Sequence, residues 1–279
     1  MMTKKHLLKD FTFVEFRERM RDDPVMLIPL GSQEEQGPMA PMGDYMLTEA
    51  IADEVAARAE AIATPIMPFG YADYFRTVPG GIALRPATFA AVLEDVCVNF
   101  LDHGLNRLVI LNGHTGNYPL IDQVIRKLKA ERAVLIPCLN LWRLIPPELW
   151  RELHPDGGAQ GHGADPLTSV YLHLFPELMR MDLAAPAAAQ GALLDLPTSG
   201  LNAVRFRDQD VHLAVDVTDH TANGVTAGDP GRSSAAIGRQ ITEFLVDYLS
   251  AFALHMKGVD PRVTKPVSVE VRNNKGEVS

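Results

Sequence analysis

The chain is short of cysteine, of aromatic residues and of long apolar runs, and each shortage excludes something. Cys97 and Cys138 are the two cysteines among 279 residues, each in an apolar segment, so core thiols are expected rather than a disulfide or a metal pair. No apolar run approaches the ~18 residues of a membrane-spanning helix, so no membrane partner is expected. The N-terminus, MMTKKHLLKDF, carries two lysines but no apolar h-region, so a cytoplasmic protein without a signal peptide is expected. Basic residues are scattered and the net charge is −9, which argues against nucleic acid as a partner. Aromatics make up 7%, and no internal repeat or biased tract is present. The apolar fraction, 47%, suffices for a sizeable core.

Strand and helix patterns alternate along the chain. Thr12 to Met20 has a capping-box spacing, Thr12 then Glu15, and predicts a short amphipathic helix. Apolar runs predict strands at Val25–Leu30, Ala63–Phe69, Arg107–Leu111 and Ala133–Leu139, with Ile82–Leu84 a short strand or turn. Helices are expected from Asp44 to about Ala61, Phe89–His103, Tyr118 to about Arg132, Pro166–Leu174 and Ala235–His255. Trp142–His154 reads as helical or irregular, Arg180–Gly200 as an irregular surface excursion, and Asp210–Thr218 as an edge strand. The fold expected is a three-layer α/β/α sandwich with a largely parallel central sheet. It forms one domain over residues 1–257, and a tail from Gly258 to Ser279, with β-type residues at Val267–Val271, is disordered or packs on a partner subunit.

Three polar loops follow buried strands: Gly31–Asp44, Gly70–Gly81 and Asn112–Asn117. In a parallel sheet with right-handed crossovers their tips share the C-terminal edge, where open α/β sheets build sites. Two of these loops supply Glu34, Asp44 and His114, a carboxylate and imidazole set suited to Zn²⁺ or Mn²⁺. The competing reading is a solvated acidic connection with a structural histidine. Glycines on both sides of His114 favour a site, because they let backbone approach a ligand closely. His162 sits in a second Gly-rich turn with Asp165 three residues on, and is either catalytic or a polar helix start. The other seven histidines, His154 and His220 among them, have no such setting.

The phrases LIPLGSQEEQGPMAPMGD, PFGYADYFRTVPGGIAL, LVILNGHTGN, GHGADPLTS and GVTAGDP, in that order, resemble the creatininase (creatinine amidohydrolase) family over roughly Val25 to Ala253. The resemblance implies an α/β/α fold, often assembled as hexamers, a Zn²⁺ or Mn²⁺ site, and hydrolysis of a small cyclic amide. Carried over one residue at a time, it places metal ligands at Glu34, at His114 and, with one residue missing from the loop, at Asp44. The family's histidine after the first glutamate falls on Gln36 and its next histidine on Met39. Its second-metal glutamates meet Gly116 and Leu167. Tyr74 and Phe75 stand where many members have an acid and a histidine.

One divalent ion per chain, on Glu34, Asp44 and His114, is therefore the expected cofactor, unless Asp165 or His162 replaces the lost ligands. The expected activity is hydrolytic opening of a small polar cyclic substrate. His162 or Asp165 would relay a proton, and Gln36, Tyr71, Tyr74 and Asn117 would orient the ring. A lactam or a cyclic polyol ketone of the oxidised-inositol kind would serve as substrate. A non-catalytic ligand-binding member is the third reading, and a homo-oligomer is expected by resemblance.

Overall fold

Four short strands form one parallel sheet in the computed structural model, which describes residues 5–188, 192–199 and 201–263. They are β1 (Met26–Leu30), β2 (Ile62–Ala63), β3 (Leu108–Asn112) and β4 (Cys138–Asn140), in the order β2-β1-β3-β4. All of β1 and β3 is buried, as expected of strands covered on both faces. They pair from Met26 opposite Leu108 to Leu30 opposite Asn112, so the loops after them leave the sheet side by side.

The helices are α1 (Phe13–Met20), α2 (Tyr45–Ala59), α3 (Pro86–Asp102), α4 (Tyr118–Arg132), α5 (Pro147–Leu153), α6 (Leu167–Leu174), α7 (Val217–His220) and α8 (Ala235–Lys257). The capping box of α1 forms: Thr12 Oγ1 accepts from Glu15 N, and Glu15 Oε2 accepts from Thr12 N. Side chains alternate along β1, and so separate two cores. Leu27 packs with Val109 and Leu111 among residues of α2, α6 and α8. Met26 and Ile28 pack with Ile110 among residues of α3 and α4. That is the three-layer α/β/α arrangement. In α8, Ile241, Leu245, Leu249 and Ala253 recur every four residues and are buried, each large one contributing about 1.5–3 kcal/mol. No helix of the described residues is long and apolar enough to cross a membrane.

Five expectations change. The strand expected over Ala63–Phe69 stops at Ala63, because Pro65 and Pro68 have no N–H to donate, and only Met67 bridges Leu30 again. The strand expected over Ala133–Leu139 starts at Cys138, after Pro137; Val134 instead bridges Arg262 in antiparallel sense. The beginning of the expected tail is thereby packed on its own chain, with Val263 N donating to Ala133 O at 2.8 Å. Residues 264–279, including Val267–Val271, lie outside the described residues.

The described part of the expected irregular excursion carries β5 (Ala192–Leu193) and β6 (Leu196–Ser199), which continue into β7 (Ala203–Phe206) and β8 (Gln209–His212) as an antiparallel sheet. Its two-residue turns, Leu194–Asp195 and Arg207–Asp208, have positive φ at all four residues, the geometry that matches strand twist in tight hairpins. None of the four is glycine, so the hairpin signal is hidden. The edge strand expected over Asp210–Thr218 ends at His212; Asp216 and Asp219 form a capping box that starts α7.

Candidate metal centre

Glu34, Asp44 and His114 converge at the C-terminal edge of the sheet, all three buried, with one ligand atom from each within 4.8 Å of the others. His114 Nδ1 lies 2.9 Å from Glu34 Oε2 and 3.0 Å from Asp44 Oδ2. His114 Nε2 lies 3.0 Å from the Tyr71 carbonyl oxygen, which can only accept, so Nε2 carries a hydrogen. In the neutral ring Nδ1 is then a bare lone pair facing two carboxylates, the orientation that a second partner imposes on a metal-ligating imidazole.

Each carboxylate is held by its outer oxygen. Asp44 Oδ1 accepts from Ser32 N at 2.7 Å, and Glu34 Oε1 accepts from Gln36 Nε2 at 2.9 Å. Glu34 Oε2 is buried without a well-aligned donor, because the one hydrogen that Nδ1 can carry is aligned with Asp44. A buried, orphaned carboxylate oxygen beside an imidazole lone pair fits a hard or borderline divalent cation.

The electrostatics agree. Burial, and next the charge of Glu34, push Asp44 up to about 6, against the pull of His114. Burial pushes His114 down, but the charges and hydrogen bonds of Glu34 and Asp44 outweigh it and hold the ring well above its ordinary value. A proton on His114 thus occupies the place that a cation fits.

Two residues expected at the substrate instead serve the loops. Asn117 is fully buried and its amide is spent: Oδ1 accepts from Tyr71 N at 2.8 Å, while Nδ2 donates to Gly31 O at 3.2 Å and Asn112 Oδ1 at 3.3 Å. It stitches the three loops together. Tyr71 acts through its backbone, on Asn117 and His114, with its side chain against the α3–α4 core. Gln36 and Tyr74 do suit a ligand: Gln36 Oε1 and the Tyr74 hydroxyl are buried without partners. Burial, with the charge of Glu35 next, pushes the Tyr74 hydroxyl upward.

His162 and Asp165, three residues apart, go to different places. His162 Nε2 lies 2.9 Å from Glu35 Oε1, and its ring lies against Phe75 with centroids 4.4 Å apart. Burial opposes charge on His162, but the hydrogen bond and charge of Glu35 outweigh it and raise the ring above its ordinary value. Asp165 is fully buried, and its oxygens are taken by His154 Nε2, Ser169 N and Ser233 Oγ. None of its hydrogen bonds reaches Glu34, Asp44, His114 or His162.

Sequence reasoning passed over Glu35, His154 and Ser32. Glu35 reads as a solvated neighbour of Glu34 because successive acids on a loop rarely both turn inward, and nothing local marks its histidine partner 127 residues away.

A sequence model of the creatininase family, described as creatinine amidohydrolase, matches residues 9–253. Creatinine amidohydrolase of Pseudomonas putida is 28% identical over 198 residues, 65% of this chain and 76% of that protein. The 3-dehydro-scyllo-inosose hydrolase of Thermotoga maritima is 30% identical over 191 residues, 65% of this chain but only 60% of that protein. The mycofactocin precursor peptide peptidase of Mycobacterium ulcerans is 28% identical over 261 residues, 86% and 89% of the two chains. A crystal structure of creatinine amidohydrolase superposes with a TM-score of 0.76 at 24% identity, over 92% of this chain and 100% of that chain. A manganese creatininase (TM-score 0.74) and a Zn-Zn type of a creatininase variant (0.73) are each 25% identical, over 89% of this chain and 97% of theirs. These relatives are hydrolases with different substrates, and the fold, the order of motifs and the match over most of its length agree: the chain belongs to the creatininase family.

Proposed function

We propose that the protein is a metal-dependent hydrolase that opens a small polar cyclic substrate with one divalent cation, Zn²⁺ or Mn²⁺, on Glu34, Asp44 and His114. The observation that carries this is the approach of His114 Nδ1 to within 2.9 Å of Glu34 and 3.0 Å of Asp44, with all three side chains buried. A cation bound there supplies Lewis acidity, polarising a carbonyl and making water a stronger acid.

The chain's own residues do the rest. Gln36 and Tyr74 present unpartnered polar atoms that orient the ring, and His162 handles the proton at the leaving atom. The water oxygen bonds to the carbonyl carbon and the ring bond breaks with its electron pair on the leaving atom. That atom takes a proton, so that one water is consumed. If the leaving atom is nitrogen, the substrate is a lactam. If it is carbon, the substrate is a cyclic polyol ketone flanked by a second carbonyl; the lone acceptor on Gln36 suits a ring hydroxyl as it suits a lactam N–H.

A single cation is supported at Gly116, the position of a family glutamate. A Cβ there would lie 2.5 Å from His114 Nε2 and 2.6 Å from Tyr71 O, so the ring that holds the first cation fills that space. A homo-oligomer is part of the same reading, supported by Leu194, Phe206 and Val211 exposed on the antiparallel sheet, and light scattering measures it.

The test is elemental analysis together with a turnover screen of lactams against cyclic polyol ketones on Mn²⁺- or Zn²⁺-loaded protein. About one tightly bound ion per chain and opening of either class of ring are expected. Absence of metal with no rescue by added Mn²⁺ or Zn²⁺ sinks the reading, and metal without turnover of any ring leaves a binding protein. His114→Ala should abolish metal uptake.

A further inference from the structure

Glu35 is held by parts of the chain far apart in sequence, and none of this serves the three metal ligands. Its Oε1 lies 2.9 Å from His162 Nε2, and its Oε2 accepts from Gly37 N at 2.6 Å. Gly224, with φ of +78°, closes over the same carboxylate: a Cβ there would lie 2.5 Å from Oε2. His162 is fixed in turn by the Phe75 ring at 4.4 Å and by Thr226 N, which donates to its carbonyl at 3.1 Å. Glu35 has His162 as its one ion-pair partner among the described residues, and neither belongs to a group able to hold a metal.

A buried carboxylate persists only where donors compensate its desolvation, and here the donors are one backbone amide and one imidazole nitrogen. Because a carboxylate only accepts, Nε2 of His162 must be an N–H nitrogen. Nδ1 makes no hydrogen bond among the described residues and is left to exchange a proton. A carboxylate that fixes the tautomer and orientation of a catalytic imidazole is a recurrent device.

We propose that Glu35 is a positioning residue: it fixes His162 through Nε2 so that Nδ1 is the nitrogen that delivers the proton to the leaving atom. The proposal rests on the ring-opening reading for the step it serves, but not for the geometry it requires. Atoms balance: Nδ1 gives up a proton as the leaving atom accepts it, and water entering the next cycle returns it.

The test uses full-length Mn²⁺-loaded wild type, Glu35→Ala and Glu35→Gln. Both variants should bind as many metal ions per chain as wild type; loss of metal in Glu35→Ala would make Glu35 a ligand and overturn the proposal. In a crystal structure of Glu35→Ala the His162 ring should leave Phe75, and a ring that stays in place also overturns it. With whichever ring the wild type opens, kcat should fall about 100-fold in Glu35→Ala with KM within about threefold. Formate should restore part of the loss, and Glu35→Gln, which keeps one acceptor, should retain more activity. Turnover by Glu35→Ala within about twofold of wild type rejects the role. If the wild type opens no ring at all, the ring-opening reading fails, and the position of His162 in the variant still decides what Glu35 does.

Discussion

His154 Nε2 lies 2.8 Å from Asp165 Oδ2, and both side chains are buried. The other oxygen of Asp165 accepts from Ser233 Oγ at 2.6 Å and Ser169 N at 3.0 Å. One carboxylate thus joins the end of α5, the start of α6 and the segment before α8, and with them the turn that carries His162.

Asp165 is therefore expected to act on stability before chemistry. Asp165→Ala leaves three donors unpaired, two of them buried, and should cost about 3–5 kcal/mol; His154→Ala removes one partner and should cost about 1–3 kcal/mol. Urea unfolding should show a lower midpoint with little change in slope, and metal content per folded chain should match wild type. A variant that keeps wild-type stability yet loses turnover would return Asp165 to the reaction itself.

Metal uptake should strengthen with pH. In the metal-free protein Asp44 is raised to about 6 by burial and Glu34. Its contribution to stability is therefore full below the ordinary carboxylate range and lost as pH rises through 6. His114, raised well above its ordinary value, keeps its contribution to still higher pH. A cation needs both groups deprotonated, so it displaces protons. Above pH 6, for as long as the raised His114 ring stays protonated, the displaced proton is that of His114, and affinity for Mn²⁺ or Zn²⁺ should rise about tenfold per pH unit. Below pH 6 the dependence steepens as Asp44 joins. Calorimetric titration across buffers reads the proton release directly, and a pH-independent affinity would remove His114 from the ligand set.

How far the sequence carried differs between fold and site. The inner strands Met26–Leu30 and Leu108–Asn112 are short, almost wholly apolar runs, so burial on both faces is legible and so is the sheet, even though Pro29 lies within the first. Prolines shortened the outer strands, and non-glycine hairpin turns concealed the second sheet. At the site, Glu34, Asp44 and His114 were legible because glycines and strand ends mark them. Local signals said nothing of which acid His162 would meet, or that Asn117 would spend its amide on backbone. Those are long-range pairings that only the packed chain decides.

Restoring the family's glutamate at Gly116 should not create a second metal site. Its Cβ would lie 2.5 Å from His114 Nε2 and 2.6 Å from Tyr71 O, the two atoms whose hydrogen bond orients the ligand ring. Loss of such an outer partner weakens metal binding by about 10–100-fold. Gly116→Glu should accordingly hold less than the wild-type complement of Mn²⁺ in equilibrium dialysis. A rise toward two ions per chain would show that the pocket keeps room for a second cation.

Gln36 separates rings that carry a donor beside the attacked carbonyl from rings that do not. Its Nε2 is committed to Glu34 Oε1 at 2.9 Å, which fixes the amide so that Oε1 is the free atom, and that oxygen is buried without a partner. An unpaired buried acceptor costs about 1–3 kcal/mol, so Gln36→Leu, which removes it along with one hydrogen bond, should change stability by only about 1 kcal/mol. Substrate binding should separate the two classes of ring. A ring with a hydroxyl or N–H beside the attacked carbonyl loses its acceptor, and KM should rise about tenfold, the equivalent of about 1.4 kcal/mol. A ring without that donor has nothing to lose, and its KM should stay within about twofold. Paired rings differing by that one group, measured on wild type and Gln36→Leu, give the answer as a double-mutant cycle. If both rings lose equally, Gln36 acts through Glu34 and the lone oxygen is not a substrate contact.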